Sequence, residues 1–275
     1  MKQYLLFLLI PIIILAQDNS YLDMKAKAKS DGKVVSAKLQ LQSPMINFEV
    51  AKRHNVEANF ISHLTAIVEN HIVLDMDMLK TQFLHPKPVI KYKFKDINRT
   101  NAIRYIVTDN KGETKEHVFE IKREHKLKEN EKQFKDSKTS VVNLKKTNPL
   151  IWEAKNNKEA IKELYGLIEN PIMNKINLIM PKRIDCDWSI PIEISSDVDL
   201  ESLALFIDID TYADTIESSV VTIFSISPFS IIDYKLNITM RGKQYTLIAI
   251  GKDKNGKFYK VINKGDLPKT SDACL

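Results

Sequence analysis

Short stretches of this chain alternate apolar and polar residues with a period of two, the mark of a strand with one buried and one wet face. In KYKFK, Tyr92 and Phe94 alternate with Lys91, Lys93 and Lys95. The pattern predicts strands at residues 34–41, 60–68, 89–94, 103–108 and 116–121, with Asp109-Asn110-Lys111-Gly112 as a hairpin turn. A stretch of about 100 residues with turns at this spacing has the size of an immunoglobulin-like sandwich.

The pattern resumes after residue 148. The stretch NKEAIKELY predicts a helix over 157–165, capped by Asn156 or Asn157 and ended by Gly166. Strands are predicted at 175–180, 190–195, 202–208, 220–224, 233–241, 244–252 and 257–262. Arg241-Gly242 and Lys254-Asn255-Gly256 supply residues for hairpin turns. The last residues, NKGDLPKTSDACL, are polar and predict a mobile arm over 263–275. The fold class is therefore all-β: two immunoglobulin-like β-sandwich domains joined by a basic linker, with a short helix before the second domain. Expected boundaries are 17–121, a lysine-rich linker over 122–148, and 149–275. As a flexible coil the linker spans on the order of 30 Å, close enough for the two sandwiches to dock on one another.

At 275 residues, 44% hydrophobic and 28% charged, the chain is long enough for a sizeable core. Seven glycines leave little for phosphate-cradling loops. The net charge is +6, but residues 122–148 alone hold nine bases against four acids. The basic excess is thus read as a property of the linker, with no basic face expected on a folded module and no nucleic-acid partner. At the N-terminus Lys2 precedes the uncharged run YLLFLLIPIIILA, which closes on Ala16. Residues 1–16 are expected to be a signal peptide cleaved after Ala16: the run is shorter than the roughly 20 residues of a membrane span, and Pro11 interrupts it. No cysteine follows it, so a soluble periplasmic protein is expected, with no membrane attachment after cleavage.

Candidate chemistry is sparse. Gly251 to Lys257 has the spacing of a phosphate-binding loop, but Phe258 stands where a magnesium-ligating Ser or Thr belongs, and a strand-like FYKVI follows. The six histidines, at 54, 63, 71, 85, 117 and 125, lie at no metal-ligand spacing and are expected at the surface, His63 partly exposed or at an interface. No serine sits in a nucleophile elbow, and Asp185, Asp187, Asp208 and Asp210 read as a solvated face. No metal or cofactor is expected, and the protein is expected not to be an enzyme. Two cysteines remain, Cys186 and Cys274. In an oxidising compartment they can form a structural disulfide, which makes the chain a protein-binding module of two sandwiches. Alternatively Cys274, on an exposed terminus, is a covalent attachment point and Cys186 a bystander beside Trp188. Asp272 and the terminal carboxylate work against thiolate formation, so such a thiol would be a handle for other proteins rather than a self-activated nucleophile.

The stretches MKAKAKSDGKVVSAKLQLQSPM, NFISHLTAIVENHIVL, KPVIKYKFK and TDNKGE resemble SoxZ, and KEAIKELYG, INLIMPKRIDCDWSIPIEISSDVDLESLALFID and GKFYKVI resemble SoxY. The resemblance implies a fusion of these two sulfur-oxidation carrier proteins, immunoglobulin-like partners that pack on one another. It implies that Cys274 carries thiosulfate-derived sulfur on a swinging arm. The partners implied are a haem-containing thiosulfate-loading protein, a sulfate-releasing hydrolase and, in some systems, a sulfur dehydrogenase. The family's arm has glycines on both sides of its cysteine; here Ser271-Asp272-Ala273 precede it and Leu275 follows.

Overall fold

In the computed structural model of the chain the described residues are 23–42, 51–52, 54–78, 88–97, 101–123, 150–180, 190–210, 216–240 and 242–267. The expected signal peptide, most of the expected linker, Cys186 and Cys274 lie outside them. The first half comprises β1 (Asp23–Ser30), β2 (Val34–Gln42), β3 (Ile61–Val68), β4 (His71–Met78), β5 (Val89–Lys95), β6 (Ala102–Asp109) and β7 (Thr114–Arg123). The second comprises helices α1 (Leu150–Glu153) and α2 (Asn157–Tyr165), then β8 (Ile172–Met173), β9 (Ile176–Ile179), β10 (Ile190–Ser196), β11 (Leu200–Asp210), β12 (Ile216–Ser225), β13 (Ser230–Ile238), β14 (Gln244–Asp253) and β15 (Phe258–Asp266). The protein is all-β apart from these helices, as its alternation predicts.

Helix α2 forms where its ends are specified. The Asn156 side chain accepts from the Glu159 amide, and Gly166, at φ 73°, donates its amide to the Lys162 carbonyl. Asn157 Nδ2 donates to Asp208 Oδ1 at 2.8 Å, fixing the helix start against β11. The inner face of the helix then covers Ala204, Phe206, Val220, Ile223 and Ile250 on the outer surface of the second half.

The strands form two layers, and each runs unbroken through both halves. One layer has the order β9-β10-β13-β5-β2-β1, the other β8-β15-β14-β11-β12-β4-β3-β6-β7. At one edge they meet where β1 and β7 pair in parallel, Ala28 beside Ile121 and Ser30 beside Arg123. Between the layers, Tyr92 donates its hydroxyl to that of Tyr105 at 3.0 Å, and Phe224 stacks on Tyr234 with centroids 4.1 Å apart. Full burial of side chains this large contributes about 1.5–3 kcal/mol each.

The two halves repeat one topology. β1-β2-β5 and β7-β6-β3-β4 in the first correspond to β9-β10-β13 and β15-β14-β11-β12 in the second, each strand eight places later in the order. The halves join through corresponding strands, β4 to β12 and β5 to β13, both antiparallel. A local two-fold relation requires this, as at an isologous dimer interface. The expected docking of the two sandwiches thus takes the form of shared sheets.

Several expectations are corrected. Arg241-Gly242 does not close a hairpin: β13 and β14 lie in different layers, and the chain crosses between them there. An added Cβ at Gly242 would stand 2.4 Å from the Asp210 carbonyl oxygen, so the crossing is tight against the end of β11. β7 runs to Arg123, two residues into the expected linker, because the Arg123 guanidinium pairs with Asp96 and its Nε donates to Asn101 Oδ1 at 2.9 Å. β15 continues past Ile262 to Asp266, its polar residues paired with β14 from Lys264 beside Thr246 to Asp266 beside Gln244. The sequence 251–257 is the expected turn between β14 and β15: Gly256 has φ 79°, and Asp253 Oδ1 accepts from the Asn255 and Lys257 amides.

Candidate functional site

Cys274 and Cys186, the two sequence-predicted site residues, lie outside the described residues, as do Asp185 and Asp187. What the structure describes is the ground from which the C-terminal residues leave. At the end of the described residues, the Leu267 side chain is buried in the main core and its amide donates to the Lys243 carbonyl at 2.7 Å. Just before it, Gln244 Nε2 donates to Asp266 Oδ1 at 2.9 Å. Gly265 lies so close under Tyr245 that an added Cβ would come 2.6 Å from the phenol oxygen. A groove of about 590 Å³ opens at this root, lined among others by Asp208, Asp210, Tyr245, Lys264 and Asp266. Cys274 is seven residues beyond Leu267, a reach of at most about 25 Å.

The second concentration of chemistry lies at the seam between the halves. On β3 and β4, His63 stands directly across from Asp77, and Thr65 across from Asp75. His63 Nδ1 is 2.7 Å from Asp77 Oδ1. Its Nε2 points at Thr65 Oγ1 at 3.0 Å, while Asp75 Oδ1 lies 2.9 Å to the side, close enough for charge attraction but out of line for a hydrogen bond. All four side chains are buried. Burial alone would push the imidazole pKa down; the two carboxylates held close against the ring, Asp75 and Asp77, outweigh it and hold His63 up at about 9, so it is a cation at neutral pH.

This square adjoins the second half directly. Ile223, the register partner of Asp77, belongs to the apolar cluster beneath α1 and α2. Thr222 donates its hydroxyl to the Asp77 carbonyl at 2.8 Å, Ser227 to that of Ile72 at 2.5 Å, and Ser230 to that of Val73 at 3.1 Å. A row of hydroxyls from β12, β13 and the turn between them thus caps the carbonyls of β4. Surface positions were expected for the histidines, with His63 partly exposed or at an interface; His63 is buried beside the seam between the halves, and His71 is buried, packed on Phe229 with ring centroids 4.4 Å apart. His54 and His117 are exposed as expected. No pairing of His63 with a carboxylate was legible, because its partners lie 12 and 14 residues away and meet it only through the β3–β4 register. Among the described residues no group of three or more His, Cys, Asp or Glu is arranged to hold a metal ion, and no helix is long and apolar enough to cross a membrane.

The fold and seam define two like sandwiches fused through continuous sheets. Residues 24–120, nearly all of the first, match the family described as sulphur oxidation protein SoxZ. No curated protein matches the chain. Among solved structures it is similar to the sulfur carrier protein SoxY from Chlorobium limicola f thiosulfatophilum, with 18% identity over 41% of this chain and 96% of that one, at a TM-score of 0.33. Others are a superoxide reductase (neelaredoxin) from Ignicoccus hospitalis, with 8% identity over 34% of this chain and 81% of that one at a TM-score of 0.31, and the Clostridium thermocellum CbhA fibronectin(III)-like modules, with 9% identity over 90% and 94% at 0.25. These are partial likenesses of shape; the family match at residues 24–120 is what bears on function.

Proposed function

We propose that this protein is a periplasmic, non-catalytic carrier of thiosulfate oxidation that holds sulfur intermediates covalently on Cys274. The observation that carries the proposal is the SoxZ match over residues 24–120. One feature is in accord with it: the matching sandwich shares both its sheets with a second sandwich whose sequence resembles SoxY. In this reading residues 1–16 direct export, the first sandwich helps dock partner enzymes, and residues 268–275 present the thiol.

Loading joins the Cys274 sulfur to the outer sulfur of thiosulfate. The thiol proton is released and two electrons pass, one at a time, through the haem-containing loading partner to its own electron acceptors, leaving a Cys–S–S–SO₃⁻ group. Hydrolysis by a sulfate-releasing partner breaks the bond between sulfur and the sulfonate and leaves a persulfide on the cysteine. The carrier supplies only the thiol and its delivery, so no basic residue beside Cys274 is needed for the chemistry. Without flanking glycines, residues 271–275 carry side chains into any enzyme channel, so the partner's channel must be wider than one shaped for a glycine arm.

The test is the intact mass of the protein from the periplasm of thiosulfate-fed cells, before and after reductant and with thiol alkylation. A reductant-sensitive sulfur adduct on the peptide ending in Cys274-Leu275, absent from Cys274→Ser, is expected. A mass two hydrogens short, with Cys186 and Cys274 joined, would overturn the carrier and leave a disulfide-stapled binding module.

A further inference from the structure

The exposed face of the layer β9-β10-β13-β5-β2-β1 carries a row of lysines in register. Lys27 on β1 stands opposite Lys38 on β2, Lys38 opposite Lys91 on β5, and Lys91 opposite Lys235 on β13. Beside this row, Lys29, Ser36 and Lys93 form another. Neighbouring strands are about 4.8 Å apart, so the four lysines span about 14 Å. Like charges directly opposite one another destabilise a sheet. Lys235 is paired with Glu193 at 2.7 Å and Lys93 with Asp233 at 2.6 Å. Lys27, Lys38 and Lys91 are exposed, and among the described residues none meets a carboxylate within 4 Å. A groove of about 650 Å³ runs along this face. The basic excess of the chain is therefore not confined to the linker, as its composition suggests, and a folded module does bear a basic face.

We propose that this face docks an acidic surface of a partner protein, three lysines of the first half and Lys235 of the second together opposing a line of carboxylates. The row is longer than one small oxyanion, and the strand amides beneath it are taken up in the ladders, so it offers no backbone cradle for such an ion. Nucleic acid fits poorly, because Tyr92 and Phe94, which alternate with these lysines, point into the core and leave no aromatic for a base to stack on. A uniformly anionic membrane would be repelled by Glu193 and Asp233 on the same face, whereas a protein can present charges that match both signs. The face is continuous only when the two halves are docked, since β5 and β13 meet at the seam. The inference stands independently of whether Cys274 carries sulfur.

The test uses the whole mature chain, a synthetic oligoglutamate peptide of about ten residues, and two triple variants of equal charge change. One is Lys27→Gln, Lys38→Gln and Lys91→Gln; the control is Lys158→Gln, Lys254→Gln and Lys257→Gln, all exposed in the second half. Peptide binding by titration calorimetry is expected to weaken about tenfold in the first variant, to change less than about twofold in the control, and to fall with salt. Equal weakening in both variants overturns the proposal. So does binding of thiosulfate, a thymidine oligonucleotide or phosphatidylglycerol vesicles that depends on the three lysines more steeply than peptide binding does. The first variant is also expected to unfold at higher denaturant than the parent, because opposed charges are gone; a lower midpoint would assign the lysines to the fold and overturn the docking role.

Discussion

Thr222, in the second half, donates its hydroxyl across 2.8 Å to the main-chain oxygen of Asp77, in the first, and both residues are buried. The contact sits beside the β4–β12 ladder, where among the described residues Met76, Asp77 and Met78 are in register with the partner strand. Side-chain hydroxyls add to the polar satisfaction of this seam. Thr222→Val keeps the shape and removes the donor, leaving a buried carbonyl short of a partner. It is expected to cost about 1–2 kcal/mol in urea unfolding, with Thr222→Ser close to the parent.

The His63 square makes stability depend on pH. The folded-state pKa of about 9 lies above the ordinary 6.5, so the folded protein binds this proton more tightly than the unfolded chain. The contribution is fully present below about pH 6.5 and is lost as pH rises through about 9. Its size is on the order of 3 kcal/mol. Denaturant midpoints measured between pH 6 and pH 10 are expected to fall with rising pH in the parent, and more shallowly in His63→Gln.

How much of this was legible depends on where each residue's partners lie in the chain. Helix α2 could be read to the residue, because Asn156 and Gly166 cap it locally. Strands with one wet face, such as β5, could be read from alternation alone. β4, HIVLDMDM, could not: Asp75 and Asp77 look like a wet face, yet every residue of the strand is buried, since His63 on the neighbouring strand lies against both carboxylates. β1 escaped because its inward positions include alanines, weak strand formers whose alternation with lysine carries little signal. Each lysine of the basic row was visible, but 27, 38, 91 and 235 come together only through strand register, so counted by segment they were offset by the acids of their own modules and no basic face was expected. The expected thiol chemistry rests on residues 186 and 274, outside the described part.

Arg123 shows the same limit at a boundary. In sequence it opens a lysine-rich run; in the fold its guanidinium pairs with Asp96, which also accepts from Ser30, and both charged side chains are nearly inaccessible. Removing one partner of a buried pair leaves the other charge uncompensated. Arg123→Met is therefore expected to lose about 3–5 kcal/mol in urea unfolding, and the double change with Asp96→Asn to lose less than the sum of the single ones.

The crossing between the layers sets a steric requirement at Gly242. An alanine Cβ there would lie 2.4 Å from the Asp210 carbonyl oxygen and 2.5 Å from Ile209 Cγ2. That same carbonyl accepts the Lys243 amide at 2.7 Å, so backing it away breaks a hydrogen bond that seats β14 against β11. Ile209 can rotate, but the carbonyl is backbone and can move only with its strand. Gly242→Ala is expected to cost about 2–3 kcal/mol through overpacking. Gly112→Ala is the comparison: at φ 93° its backbone is in a conformation that alanine resists, but no atom lies within 4 Å of the new Cβ, so only about 1 kcal/mol is expected. Urea unfolding of the two variants separates them, since a loss at Gly242 no larger than at Gly112 would mean that the crossing gives way without strain.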